Sequence, residues 1–158
     1  MLRYLNIFCF FLFCAFMSAQ AFAADIATCG ESSGYAYDTY RGLTEEKEAG
    51  WVEDRIKGGQ FTFRKGEDGE FDLLISSAMG VSSSVSDGAK IIPATISDEA
   101  VTVVVLYPNR LVETYVFQKL KNGKYQAMWT QAKAETPFPR ITAFVSDCSY
   151  FDLSAINK

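Results

Sequence analysis

Glu113 is followed at two-residue intervals by Tyr115 and Phe117, and this spacing is where the sequence comes nearest to a chemical site. In an extended strand these three side chains share one face. If that face points inward, a carboxylate sits among aromatic rings, its pKa rises, and it can act as an acid or anchor a ligand. The competing reading leaves Glu113 solvated near the Pro108 turn, opposite a lysine. Trp51, Tyr107, Tyr115, Tyr125 and Trp129 form a wider aromatic set. Tyr125 and Trp129 fall on one face of their segment, together with Gln131. Aromatic rings with polar tips can line a pocket for a sugar, a lipid or an aromatic ligand, and can equally build an ordinary core with cross-strand pairs.

Other chemistries are harder to support. The chain contains no histidine, which excludes Ser-His-Asp and Cys-His machinery and every imidazole-ligated metal site. Ser82, Ser83 and Ser84 with Lys90 lack the strained turn that a serine nucleophile requires. Glu31, Asp147 and Asp152 flank the cysteines without the oxygen-rich loop that calcium needs. The glycines at 58–59 and 66–69 precede no lysine-serine pair and carry no dinucleotide fingerprint. These patterns imply no metal and no cofactor. An enzyme would have to use carboxylates, through Glu113 or Asp147, with two such groups in one cleft about 5–9.5 Å apart.

The compartment follows from the first 23 residues. Arg3 precedes the apolar run Ile7 to Met17, and Ala21-Phe22-Ala23 has the small-x-small form of a signal-peptidase site. The run falls short of the roughly 20 apolar residues of a spanning helix. The expectation is a signal peptide over 1–23 and a single secreted or periplasmic domain over 24–158, with no membrane span. Cleavage removes Cys9 and Cys14 and leaves Cys29 and Cys148 to pair in an oxidising compartment. A bond between them brings their alpha carbons within about 4.4–6.8 Å and makes the first and last segments neighbours. Free thiols and a lipidated Cys29 are the alternatives.

The elements that must position these residues alternate with period two. Gly59–Arg64 and Phe71–Ser77 flank the Asp68-Gly69 turn as a hairpin. Val101 to Tyr107, Leu111 to Leu120, Tyr125 to Ala134 and Ile141 to Asp147 read as further strands, the middle pair joined at Asn122-Gly123. Ile91, Ile92 and Ile96 suggest a short strand broken by Pro93. Gly80 to Lys90 reads as a mobile loop or a short edge strand. Leu43 to Lys57 is the one helical candidate, capped by Thr44, with a strand from Trp51 to Ile56 as the alternative. The expected fold is all-β, an antiparallel barrel or sandwich of about eight strands with one short N-terminal helix. Leu111 to Leu120 carries large residues on both faces, as in a two-layer core or a strand whose outside is covered.

The formal net charge is −4, and loss of Arg3 with the leader makes the exported chain more acidic still. Scattered acidic charge disfavours nucleic acid. In architecture the chain resembles lipocalin-like carriers, although Gly50-Trp51 departs from their Gly-x-Trp signature. Its size, export and single disulfide are also similar to small periplasmic inhibitors of lysozyme. The first resemblance implies a small amphipathic ligand held in an aromatic-lined barrel. The second implies another exported protein, met through an exposed loop such as Gly80–Lys90. A non-enzymatic binding role is the leading expectation, with carboxylate catalysis as the outside alternative.

Overall fold

Phe61, Phe63, Leu73, Val101, Val103, Val105, Tyr115, Phe117 and Trp129 all fall on one face of their strands and are buried together. That shared apolar face curls a single sheet around itself. The computed structural model describes residues 23–157, so the leader expected over 1–23 lies almost wholly outside the described residues. Ten strands make the sheet: β1 Ala24–Asp38, β2 Gly50–Ile56, β3 Gln60–Lys65, β4 Phe71–Ser77, β5 Gly80–Ser83, β6 Lys90–Ile96, β7 Ala100–Tyr107, β8 Leu111–Lys119, β9 Tyr125–Lys133 and β10 Arg140–Phe151. All pairings are antiparallel, in the order β5-β4-β3-β1-β10-β9-β8-β7-β6, with β2 also paired to β1. The result is a curled half-barrel, in keeping with the expected all-β barrel or sandwich. Its hydrogen-bonded ladder stops at β5 and β6.

β1 and β10 are the central pair. Cys29 faces Cys148 across this ladder and is bonded to it, tying positions 119 residues apart. Their alpha carbons are 3.8 Å apart, closer than the expected range, and the two residues are direct cross-strand partners. β1 also serves two strands on its other side. Its lower half, Ala24 to Cys29, pairs with β3, and its upper half, Ser32 to Asp38, pairs with β2. The register shift between Cys29 and Ser32 separates the halves.

The helix expected over Leu43–Lys57 is replaced by a 3-10 turn at Glu46–Glu48 and by β2. The turn is closed by Glu45 and Glu48 as a capping box, without Thr44. Gly50 stands at φ +129°, a conformation that ends any helix there and opens the strand. The unpaired upper half of β1 then captures Trp51–Ile56. β1 is the strand not foreseen, while β5 and β2 take the strand alternatives open for Gly80–Lys90 and Trp51–Ile56.

The lower end of the half-barrel is filled. Phe63 stacks between Phe71 and Phe117, with ring centroids 5.4 and 5.6 Å away. A second 3-10 turn, Leu153–Asn157, closes this end with Ala155 and Ile156 buried, and Lys65 Nζ donates to the Ile156 carbonyl at 3.1 Å. The outer face keeps Tyr35, Tyr37, Trp51, Val112, Met128 and Ile141 exposed. Val112 belongs to the second apolar face seen in the sequence for Leu111 to Leu120.

Candidate functional site

The upper half is not filled, and the reason lies in β1. Its residues there are small: Gly30, Ser32, Gly34 and Ala36 stand where the lower half carries Ile26. Opposite them, β8 and β9 still send large rings inward. A cavity of about 210 Å³ remains, bounded by Gly30 and Ser32, by Ile56, Gly59, Gln60 and Phe61, by Ile75, and by Tyr107, Glu113, Tyr115, Trp129 and Gln131. Two roomier hollows are open surface grooves, one on the outer face beside Tyr35 and Glu53, the other beside the Gly66–Phe71 turn.

Four of the six aromatic and carboxylate candidates therefore meet in one place. Tyr115 and Trp129 are cross-strand partners with stacked rings, centroids 5.4 Å apart. Phe61 closes on both from β3, at 5.5 and 6.3 Å. Tyr107 contributes from the top of β7, its hydroxyl donating to Ser84 Oγ at 2.9 Å. The fifth candidate, Trp51, is a correction. It lies on the outer face of β2, 64% exposed, edge-on to Tyr37 at 5.3 Å. Pairing of β2 with β1 sets this, because Trp51 stands opposite Tyr37, whose side of β1 faces outward. Tyr125, on the same strand face as Trp129, packs lower down against Phe151.

Glu113 takes the inward reading and is only 7% exposed. The Tyr115 hydroxyl donates to its Oε2 at 3.1 Å, and Gln131, its direct partner on β9, donates to Oε1. Burial pushes the Glu113 carboxyl above the usual carboxylate range, opposed by these two hydrogen bonds and by the more distant charge of Lys133. Burial and the neighbouring Glu113 raise the Tyr115 hydroxyl well above its ordinary value, and Tyr107 is raised for the same reasons, burial first. Trp129 Nε1 donates to Ser32 Oγ at 3.1 Å, and Ser32 is bonded onward to Ser146 at 2.6 Å. Every polar atom so named has a partner, so the wall is pre-organised.

Glu113 and Asp147 do not share a cleft. Asp147 is exposed between the inward Ser146 and Cys148, on the opposite face of the sheet. Among the described residues no three metal-ligating side chains converge. Gly80–Lys90 begins as the short edge strand, with Val85 to Gly88 exposed. It is β5 followed by a turn that buries Ser84 and Ala89 against β4 and β7. Sequence reasoning missed Ser32, Gln60 and Ile75 as cavity residues. The alternation of Phe61 and Ile75 was a usable signal, but nothing local marks Ser32.

No family model matches this chain, and neither the curated proteins nor the solved structures compared with it give a match. Among the described residues no helix is long and apolar enough to cross a membrane. The disulfide is compatible with an oxidising location.

Proposed function

We propose that this is an exported, non-enzymatic binding protein that holds one small amphipathic molecule in the cavity between β1, β3 and β8–β9. The observation that carries this reading is the convergence of Tyr107, Glu113, Tyr115 and Trp129 on a single partly enclosed space. An apolar lining with a few fixed polar groups is the usual make-up of a small-molecule site. The space suits a ligand built on one ring, since a dry cavity of about 150 Å³ already accepts benzene. Pre-formed hydrogen bonds among the wall residues reduce the ordering cost of binding.

Native mass spectrometry of protein purified from its own exported fraction tests this directly. A retained small molecule, released on denaturation, is the expected result. Calorimetry with benzyl alcohol as a one-ring probe should give a dissociation constant of about 1 mM or tighter. Ile75→Trp, which fills the space from β4, should abolish that heat while the protein still unfolds cooperatively. Binding undiminished in the folded Ile75→Trp variant would place the ligand elsewhere and defeat the proposal.

A further inference from the structure

We infer that the ligand is a small primary ammonium ion carrying one apolar ring or short chain, with Glu113 as its counter-ion. This rests on the cavity being a binding site and adds the class of molecule it takes.

The argument begins with what the cavity wall has already spent. Tyr115 and Gln131 each donate to Glu113. Trp129 donates to Ser32, and Tyr107 donates to Ser84. The hydroxyl and indole donors are turned toward protein acceptors; the amides of Gln60 and Gln131 keep spare N–H groups, and the one charged group on the lining is the Glu113 carboxylate. An ionised carboxylate offers about four lone-pair directions, and each Glu113 oxygen accepts from one side-chain donor. The remaining directions have no cation to satisfy them. Among the described residues neither lysine nor arginine forms an ion pair with Glu113. A buried carboxylate without a cation is costly, and a ligand that brings the cation removes that cost.

The apolar part of the wall favours the same guest. Tyr115, Trp129 and Phe61 surround the space beside the carboxylate. Aromatic faces attract cations, and the attraction strengthens where water is excluded. A carboxylate ligand meets the opposite situation, a like charge with no basic side chain on the lining. A neutral alcohol could occupy the apolar space but would leave the carboxylate without a counter-charge.

The titratable groups facing Glu113 are few. Tyr107 approaches from β7, Tyr115 lies on its own strand, and Lys133 acts from β9 beyond ion-pair range. An alkylammonium stays charged to about pH 10, as lysine does. Affinity should therefore rise with pH as Glu113 ionises, and should level off well below the titration of either tyrosine.

Calorimetry with three matched probes, benzylammonium, benzyl alcohol and benzoate, separates the outcomes. In the wild-type protein at about pH 7.5, benzylammonium should bind about tenfold tighter than benzyl alcohol, and benzoate should bind weakest. Glu113→Gln should remove that preference, with benzylammonium losing more affinity than benzyl alcohol. Equal affinity for alcohol and ammonium, or a preference that survives Glu113→Gln, would overturn the ammonium assignment and leave the cavity reading intact. Failure of all three probes, with the protein folded, would overturn both. Should Glu113→Gln fold poorly, the pH series on wild type decides, since a flat benzylammonium affinity below about pH 8 rejects the counter-ion role.

Discussion

A Cβ placed on Gly34 would lie 2.0 Å from the carbonyl oxygen of Ala143, so β1 and β10 are packed together at a point where only hydrogen fits. The atom in the way is backbone and belongs to the central ladder, so it cannot rotate aside. Gly34→Ala should cost about 3 kcal/mol or more in urea unfolding. Gly30, four residues earlier in the same strand, has nothing within 4 Å of its added Cβ. Gly30→Ala should stay within about 0.5 kcal/mol of wild type. Equal losses for the two would refute the close approach.

Glu113 makes stability depend on pH in a defined direction. Its folded pKa is raised, so folding takes up a proton between the ordinary carboxylate value and the raised one. Below that window the folded group is neutral and carries no penalty. As pH rises through it, stability falls. The unliganded protein should show a lower urea midpoint at neutral pH than at its optimum on the acidic side of the window, and Glu113→Gln should lack this component of the slope. The slope is the readout, because the amide also disturbs the bonds from Tyr115 and Gln131.

The Cys29–Cys148 bond closes nearly the whole described chain into one loop. Replacing both cysteines with alanine should cost about 2–5 kcal/mol, measured by urea unfolding against the oxidised protein. An unchanged midpoint would mean that the β1–β10 ladder aligns without the bond.

The two tryptophans give an optical test of the corrected position of Trp51. Trp129 is 7% exposed and Trp51 is 64% exposed. The Trp51→Phe variant, reporting Trp129 alone, should emit at shorter wavelength and resist acrylamide quenching. Trp129→Phe should do the reverse. Similar spectra would contradict the placement of one ring inside and one outside.

Arg140 holds the upper sheet together. Its Nε lies 3.1 Å from Asp38 on β1, and its Nη2 lies 3.1 Å from Asp54 on β2. Among the described residues β2 has β1 as its sole hydrogen-bonded neighbour strand, and the Arg140–Asp54 pair ties it to β10 as well. Arg140→Met should cost on the order of 1–3 kcal/mol and speed amide exchange in Gly50–Ile56 more than in β8. A uniform change across the sheet would argue against a local role.

Particular residues show which parts of this arrangement a reader of the sequence can recover. The hairpins from Gln60 to Ser77 and from Leu111 to Lys133 carry clear alternation and turn residues, and they form where expected. β1 does not read as a strand, because Ser32, Gly34 and Ala36 are small or polar on its inward side. The same smallness opens the cavity, so the feature that hides the strand also makes the site. Glu113 and Tyr115 were legible because strand spacing puts them on one face. Trp51 was not, since its side of the sheet depends on which strand captures β2, a choice settled by β1 well outside its local sequence.

The arrangement of the sheet has a practical corollary. Ala24 pairs with Lys65, and Lys65 in turn holds the carbonyl of Ile156, so both ends of the described polypeptide sit beside the packed phenylalanines. Tyr107 and Glu113 lie toward the far end of the strands. A linker fused at either end of the described polypeptide, whether to a bead, a sensor chip or a neighbouring domain, would hold the molecule by its packed base and leave the cavity end away from the support.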